Sequence, residues 1–276
     1  MVAREGVSMS VVTDRDGPVT IITINRPEAR NAVNPSTARD LFHAFAEAER
    51  DESVLVTILT GASGTFCAGF DLKVAADPSR DLVPPPGPQA GPMGPSRLLA
   101  DRNEAEPGIS LSKPLIAAVE GHAVAGGLEL ALLADMRVAS ETAVFGVFCR
   151  RWGVPLIDGG TMRLPRIVGH GRAMDMILTG RAVDAQEAHA WGLANRLTKK
   201  GEALAGAIAL AKEIARFPQL CMRADRASAY AGWSRELDEA LRMEGARGMP
   251  VVVAEARAGA ARFAAGKGRG GDFSEI

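Results

Sequence analysis

The chain has 276 residues, of which 47% are hydrophobic and 24% are charged, and its formal net charge is −1. This composition is typical of a globular protein with one large domain or two smaller ones. The near-neutral charge excludes a bulk electrostatic attraction to nucleic acid or to an anionic membrane surface, and the longest apolar runs are too short to span a bilayer.

The first part of the chain begins with a hairpin pattern. Two runs rich in Val, Ile and Thr flank Asp16-Gly17, a strong turn signal, and together they predict a β-hairpin. Asn34 followed by Pro35 predicts a helix start, with asparagine as the N-cap and proline in the first turn. Apolar residues then recur at helical spacing and give this helix one apolar face.

Apolar runs then alternate with glycine-containing loops. The runs at 54–61 and 114–121 each end in glycine and predict buried strands. Residues 126–134 predict a helix, and the sequence MRVAS after it predicts another strand. Alternation of this kind predicts an α/β fold in which helices cover a mostly parallel sheet.

The remainder of the chain, from about residue 159, is predicted to be helical. Asp184-Ala-Gln-Glu187 is similar to a capping box, and helical periodicity with abundant Ala, Glu and Arg covers 201–216, 236–245 and 251–265.

One segment interrupts the alternation of strands and helices. Residues 81–96 contain six prolines and three glycines, a composition that excludes a helix or a central strand. Either a loop or a linker fits this segment. The helix and strand patterns resume afterwards without a change of composition, which favours a loop.

Cysteines and histidines give no pattern of a metal site. Cys67, Cys149 and Cys221 are odd in number and far apart, which is typical of reduced thiols in a cytosolic protein. The N-terminus has no hydrophobic segment of the signal-peptide kind. We therefore expect a cytoplasmic protein that needs no metal.

Two glycine loops follow predicted strands and carry most of the functional information. They are GASGTFCAGFDLK at 61–73 and EGHAVAGGLELALLAD at 120–135. Glycine lets a backbone N–H approach a ligand closely, and a helix N-terminus adds a positive dipole. Two such loops can each donate one N–H to the same oxygen, as in an oxyanion hole; the alternative is close packing without a function.

Several segments of the chain resemble, in order, the crotonase superfamily, that is, the enoyl-CoA hydratase/isomerase family. They are INRPEARNAV at 24–33, GTFCAGFDLK at 64–73, GHAVAGGLELALLAD at 121–135, DGGTMRLPRIVGHGRAMDMILTGR at 158–181 and AVDAQEAHAWGLANRL at 182–197. The resemblance implies a spiral core of ββα units over residues 1–200. It also implies a helical region over 201–276 that serves oligomerisation, commonly as a trimer or hexamer, and active-site closure.

The resemblance further implies a site for an acyl-CoA thioester, with coenzyme A as part of the substrate rather than as a separate cofactor. By motif position, the N–H groups of Phe70 and Gly126 would bind the thioester oxygen. The residues along which CoA would run are Ala29, Arg30, Ala68, Asp71 and Leu72, joined by Phe263 and Lys267, approximate counterparts of residues that reach a neighbouring subunit's CoA.

Hydratases of this family use two glutamates. The first would be Glu129, three residues after Gly126. The second belongs to a Phe-Gly-x-x-Glu pattern, but here Cys149 stands in its place; a thiol there is not an equivalent general acid and is more often a small core residue.

Asp158 is the one acid in the stretch 145–164. It is either an N-cap for the next helix or a working acid. Arg150 or Arg151 is a candidate partner for it or, alternatively, for a carboxylate of the substrate. We expect hydration of 2-enoyl-CoA by Glu129 and Asp158. The alternatives are double-bond isomerisation and an acyl-CoA-binding protein of the same fold without turnover.

Overall fold

The computed structural model describes residues 9–77, 79, 93–95 and 111–268. Its Cα positions group into two compact units, Met1–Ala211 and Lys212–Ile276. That boundary falls within the helix Ala203–Ala215. The predicted division between residues 200 and 201 remains a prediction, as do the roles of the C-terminal region in oligomerisation and active-site closure. Most of the predicted proline-rich loop at 81–96 lies outside the described residues.

A six-stranded sheet forms the centre of the first unit, in the order β1-β2-β3-β4-β6-β9. Only the β1–β2 pair is antiparallel, since β2–β3, β3–β4, β4–β6 and β6–β9 are all parallel. The α/β fold with a mostly parallel sheet is therefore confirmed, as is the N-terminal hairpin. The strands are β1 Val11–Asp16, β2 Val19–Ile24, β3 Val56–Gly61, β4 Leu115–Val119, β6 Met136–Ser140 and β9 Arg196–Thr198.

A second sheet has three short strands in the order β5-β7-β8. They are β5 His122–Val124, β7 Val144–Gly146 and β8 Ala182–Asp184. Strands β8 and β9 correct the prediction that the chain is entirely helical beyond residue 159. Each has three residues, too few to show an alternating pattern that distinguishes a strand from a helix.

Helices cover the sheets in the first unit. They are α1 Pro35–Arg50, α2 Leu72–Ala75, α3 Gly126–Leu133, α4 Gly160–Val168, α5 His170–Thr179, α6 Ala185–Ala190 and α7 Ala203–Ala215, the last of which crosses into the second unit. Both predicted caps are present: Asn34 Oδ1 accepts the Thr37 N–H at 2.9 Å, and Asp184 Oδ1 accepts the Glu187 N–H at 2.8 Å.

The second unit contains α8 Gln219–Ala231, α9 Leu237–Val251, a π-helical turn Val252–Ala256 and α10 Arg257–Ala264. None of the side chains described in α8, α9 and α10 is buried. Across the described chain, no helix combines the length and apolar character needed to cross a membrane.

Helix α3 is buried along its whole length and carries the predicted oxyanion glycine and glutamate. All eight of its residues are buried, Glu129 included. A helix that is apolar on every side belongs in a protein core. The single carboxylate in this helix therefore stands out, because its burial is costly unless it has partners or a task.

Candidate active site

The two glycine loops lie against each other. Cys67 of the first loop pairs with Ala123 of the second in an isolated parallel bridge. A Cβ atom on Gly127 would lie 2.1 Å from the Cys67 carbonyl oxygen, closer than any real contact. One on Gly69 would lie 2.8 Å from Ala125 Cβ and 3.0 Å from Gly126 N. Glycine at these positions is thus what allows the loops to touch.

Two backbone N–H groups at this contact remain available. The Gly69 carbonyl and the Asp71 N–H both bond to Val33, at 2.8 and 2.9 Å, so the N–H of the intervening Phe70 points to the other side of the strand. Gly126 is the first residue of α3, and the first N–H groups of a helix have no intrahelical acceptor. Neither N–H bonds to any residue within the described ranges.

The backbone at the start of α3 is unusual. Ala125 adopts φ 53° and ψ −126°, in the left-handed half of conformational space that a residue with a Cβ rarely enters. Its own N–H donates to the Gly146 carbonyl at 2.9 Å, so strand β7 holds it there. Such a conformation persists only where the surroundings enforce it, and it is most common at functional sites.

Glu129 lies about one helical turn after Gly126 and is only 2% exposed. Its Oε1 atom accepts two backbone hydrogen bonds, from the Asp158 N–H at 2.9 Å and from the Gly160 N–H at 2.8 Å. In the part of the chain that the structure describes, no group donates to Oε2. One oxygen therefore fixes the carboxylate, and the other remains available for a proton or a ligand.

Burial changes the acidity of this side chain. Removal from water is the largest effect and raises the pKa of Glu129 to about 7, with a further increase from the nearby charge of Asp158. The backbone hydrogen bond from Gly160 and the positive charge of Arg163 act in the opposite direction. A carboxyl with a pKa near neutrality can both donate and accept a proton at working pH.

Asp158 is not a helix cap. The N-cap of α4 is Gly159, and no side chain caps that terminus. Asp158 is instead buried, and its Oδ1 accepts the backbone N–H of Met93 at 3.4 Å. Its backbone and its charge both act on Glu129, so the structure brings the two predicted acids together.

The cation beside the acids is Arg163, not the predicted Arg150 or Arg151. Nη1 of Arg163 donates to the Asp158 carbonyl at 2.9 Å, and this guanidinium is buried. Arg150 and Arg151 donate to carbonyl oxygens of Ile177 and Gly180 instead. Arginines eight and seven residues before Asp158 are close in sequence, but the α4 helix returns Arg163 to the same place.

Cys149 is buried near the acids, with 8% of its surface exposed. Burial, followed by the negative charge of Glu129, raises the pKa of its thiol. The thiol therefore stays protonated and weakly nucleophilic at neutral pH. It occupies space in the wall of the site without the properties of a general acid.

The residues predicted along CoA fall into two groups. In the first unit, the Ala68 N–H donates to the Arg30 carbonyl at 3.1 Å, and Asp71 forms an ion pair with Arg26 at 3.1 Å. Ala29 lies in the short turn Pro27–Ala29, and Leu72 begins α2. Phe263 and Lys267 belong to the second unit, where Phe263 is 61% exposed.

Two residues that shape the site were not predicted from the sequence. Asn31 is buried, and its side-chain amide donates to the carbonyls of Ala62 and Thr65, which ties the loop at 24–33 to the first glycine loop. Met93 lies against Gly126 and Asp158. An asparagine inside the motif INRPEARNAV is a weak signal, and a methionine within a proline-rich segment gives none.

Several proteins named as enoyl-CoA hydratases are similar to this chain in sequence and in structure. The sequence model for Enoyl-CoA hydratase/isomerase matches residues 14–264. The enoyl-CoA hydratase EchA19 of Mycobacterium tuberculosis is 37% identical, over 92% of each chain. A short-chain-enoyl-CoA hydratase of Clostridium acetobutylicum is 34% identical, over 85% of this chain and 86% of that protein.

The solved structures give the same result. A crystal structure of an enoyl-CoA hydratase from Mycobacterium tuberculosis superposes with a TM-score of 0.81 at 37% identity, covering 92% of this chain and 95% of that one. A match of this extent in both sequence and fold shows that the chain belongs to the crotonase superfamily, the enoyl-CoA hydratase/isomerase family.

Proposed function

We propose that this protein adds water to 2-enoyl-CoA thioesters and forms 3-hydroxyacyl-CoA. The observation that carries the proposal is the placement of two available backbone N–H groups, on Phe70 and Gly126, next to a buried glutamate with one available oxygen. Coenzyme A arrives as part of the substrate, and the reaction needs no separate cofactor.

The thioester oxygen binds between the N–H groups of Phe70 and Gly126. Negative charge grows on this oxygen as the enolate forms, and fixed donors in a dry site stabilise that charge. One such donor is typically worth about 2.7–4 kcal/mol of transition-state stabilisation. The positive end of the α3 dipole adds to the effect.

Glu129 and Asp158 handle the protons. One carboxylate removes a proton from water as the oxygen attacks Cβ, and the other, protonated, delivers a proton to Cα. The double bond is consumed, the C–O and C–H bonds form, and the enolate collapses back to the thioester. The raised pKa of Glu129 supports its part in this proton transfer, because a group that is partly protonated near neutral pH can either accept or donate a proton.

Double-bond isomerisation is the second candidate, and Cys149 favours it. Where the family pattern has its second glutamate, this chain has a thiol with a raised pKa. An isomerase needs only one carboxylate, which takes a proton from one carbon and returns it to another. Hydration therefore depends on Asp158 in a way that isomerisation does not.

The resemblance to the family supports a proposal for the CoA path and for the assembly of copies. CoA runs along Ala29, Arg30, Ala68, Asp71 and Leu72, with Phe263 and Lys267 of a neighbouring copy beside it. The exposed apolar side chains of α8, α9 and α10 support a homotrimer or hexamer. Three cysteines without a disulfide support a cytoplasmic protein.

A direct assay tests the proposal. We expect loss of the enoyl absorbance with crotonyl-CoA, and a slower or absent reaction with a 3-enoyl-CoA. Glu129→Gln should lose about 10²–10⁴-fold in turnover, while exposed Glu47→Gln should keep wild-type turnover. Calorimetry should show CoA binding in both variants. Turnover of the 3-enoyl thioester alone would establish the isomerase, and full activity of Glu129→Gln would refute the mechanism.

A further inference from the structure

Met93 is firmly positioned, although it comes from the proline-rich segment. Its side chain is 1% exposed and belongs to the hydrophobic core of the first unit. The next residue, Gly94, has φ 83°, and a Cβ there would lie 2.8 Å from the Ala38 carbonyl oxygen in α1. The backbone after Met93 is thus packed directly onto α1.

The side chain of Met93 lies against the predicted oxyanion glycine. A Cβ atom on Gly126 would lie 2.5 Å from Met93 Sδ, 2.8 Å from its Cγ and 3.0 Å from its Cε. The backbone N–H of the same residue donates to Asp158 Oδ1 at 3.4 Å. Met93 therefore touches both the residue proposed to bind the thioester oxygen and one of the two acids.

Gly160 and Leu156 lie close together beside Glu129. A Cβ on Gly160 would lie 3.0 Å from Glu129 Oε1 and 3.1 Å from Leu156 Cδ1. With the thioester oxygen bound at Gly126, as proposed above, the acyl chain begins close to Met93, whose side chain lies against Gly126. The buried thioether of Met93 limits the space beside Gly126, because a packed side chain yields space only by displacing its neighbours.

We propose that Met93 determines the length of acyl chain that the site accepts, and that short-chain 2-enoyl thioesters are the preferred substrates. This inference rests on the proposed function. Met93→Ala removes Cγ, Sδ and Cε, the atoms closest to Gly126. The vacated volume then admits a longer chain, so the substitution should change selectivity more than it changes the chemistry.

The experiment compares kcat/KM for crotonyl-CoA and for dec-2-enoyl-CoA. One methylene group in an apolar pocket discriminates substrates by about 10–200-fold, so Met93→Ala should raise the ratio of long-chain to short-chain activity by at least about 10-fold. Met93→Leu, which conserves volume, should keep the wild-type ratio. Met176→Ala is the matched control, because it truncates another fully buried methionine, in α5. It should lower the thermal midpoint without altering the ratio.

An unchanged ratio in folded Met93→Ala overturns the proposal, as does a wild-type preference for the long chain. If the wild type hydrates neither thioester, the proposed function fails. The chain-length role is then measured without turnover, as the calorimetric Kd values of butyryl-CoA and decanoyl-CoA. Tighter binding of decanoyl-CoA by Met93→Ala, with butyryl-CoA unaffected, supports the proposal, and parallel changes refute it.

Discussion

Glu129 accepts the backbone N–H of Asp158 at 2.9 Å, so the peptide group of one acid fixes the carboxylate of the other. Because the Asp158 side chain is also buried nearby, its charge raises the pKa of Glu129. Side-chain and backbone effects of Asp158 can therefore be separated by substitution, since only the side chain changes.

Asp158→Asn should reduce hydration of crotonyl-CoA by about 10²–10⁴-fold, because asparagine cannot carry the proton that the second carboxylate transfers. Its carbonyl oxygen still accepts the Met93 N–H, so we expect an unchanged circular dichroism spectrum and retained CoA binding. Full activity would leave Glu129 as the sole acid in the mechanism.

Glu129 should make stability depend on pH. Its pKa is about 7 in the folded protein against 4.5 normally, so the folded state holds the proton more tightly. That stabilisation is complete below pH 4.5 and is lost as the pH rises through 7. A pKa change of one corresponds to about 1.4 kcal/mol.

The check is urea denaturation of wild type and Glu129→Gln below and above this range. Because glutamine cannot ionise, the variant does not lose this stabilisation. Its free energy of unfolding relative to that of wild type should therefore rise by about 3 kcal/mol as the pH increases from below 4.5 to above 7. Exposed Glu47→Gln serves as the control and should follow the wild type. Parallel curves for Glu129→Gln and wild type would contradict a buried, weakly acidic Glu129.

Cys149→Ala should keep turnover within a few-fold of wild type. The thiol is buried and its pKa is raised, so it stays protonated and is a weak acid at neutral pH. Steady-state kinetics with crotonyl-CoA measures the effect, with thermal denaturation as the control for the small cavity. A loss of several orders of magnitude in a folded variant would place the thiol in the mechanism.

Gly69→Ala should separate the two glycine loops and strongly reduce turnover. The new Cβ would lie 2.8 Å from Ala125 Cβ, and the residue also has φ 97°. Gly64→Ala is the matched control: Gly64 has φ 74°, and among the described residues no atom outside Gly64 and its two chain neighbours lies within 4 Å of the added Cβ. Both variants lose stability from backbone strain; equal kinetic losses would show that loop contact is unimportant.

Self-association is expected through the C-terminal helices. Leu237 and Val253 are 70% and 80% exposed in the single chain, an apolar surface of the kind that marks an interface. Light scattering should give the mass of a trimer or hexamer, and Val253→Asp should shift it towards smaller species. A wild-type monomer at working concentration would refute this expectation.

Much of the fold was predictable because its signals are local. The hairpin turn at Asp16-Gly17, the cap at Asn34 and the buried strands each depend on a few adjacent residues, and each was predicted correctly. Strands β5, β7, β8 and β9 have three residues apiece. Their pairing depends on distant partners, so no local pattern reveals them.

The candidate site likewise has some contacts that local sequence predicts and others that depend on distant segments. Gly126 and Glu129 lie on one helix, where spacing alone predicts that they are neighbours. The partners of Asp158 depend on chain paths: Met93 comes from a distant segment with no periodicity, and Arg163 reaches back across the first turn of α4. The prediction of Arg150 or Arg151 rested on their closeness to Asp158 in the sequence. It was wrong because the first turn of α4 brings Arg163 back to Asp158.

The backbone of Ala125 has a consequence for how the site responds to charge. Its left-handed conformation is held by the hydrogen bond to Gly146 and by contact with Gly69, so the fold itself sets the direction of the Gly126 N–H. A solvent dipole must turn to follow a growing negative charge, whereas this one need not. The free energy needed to orient this dipole is supplied once, when the chain folds. It therefore does not add to the activation barrier of each turnover.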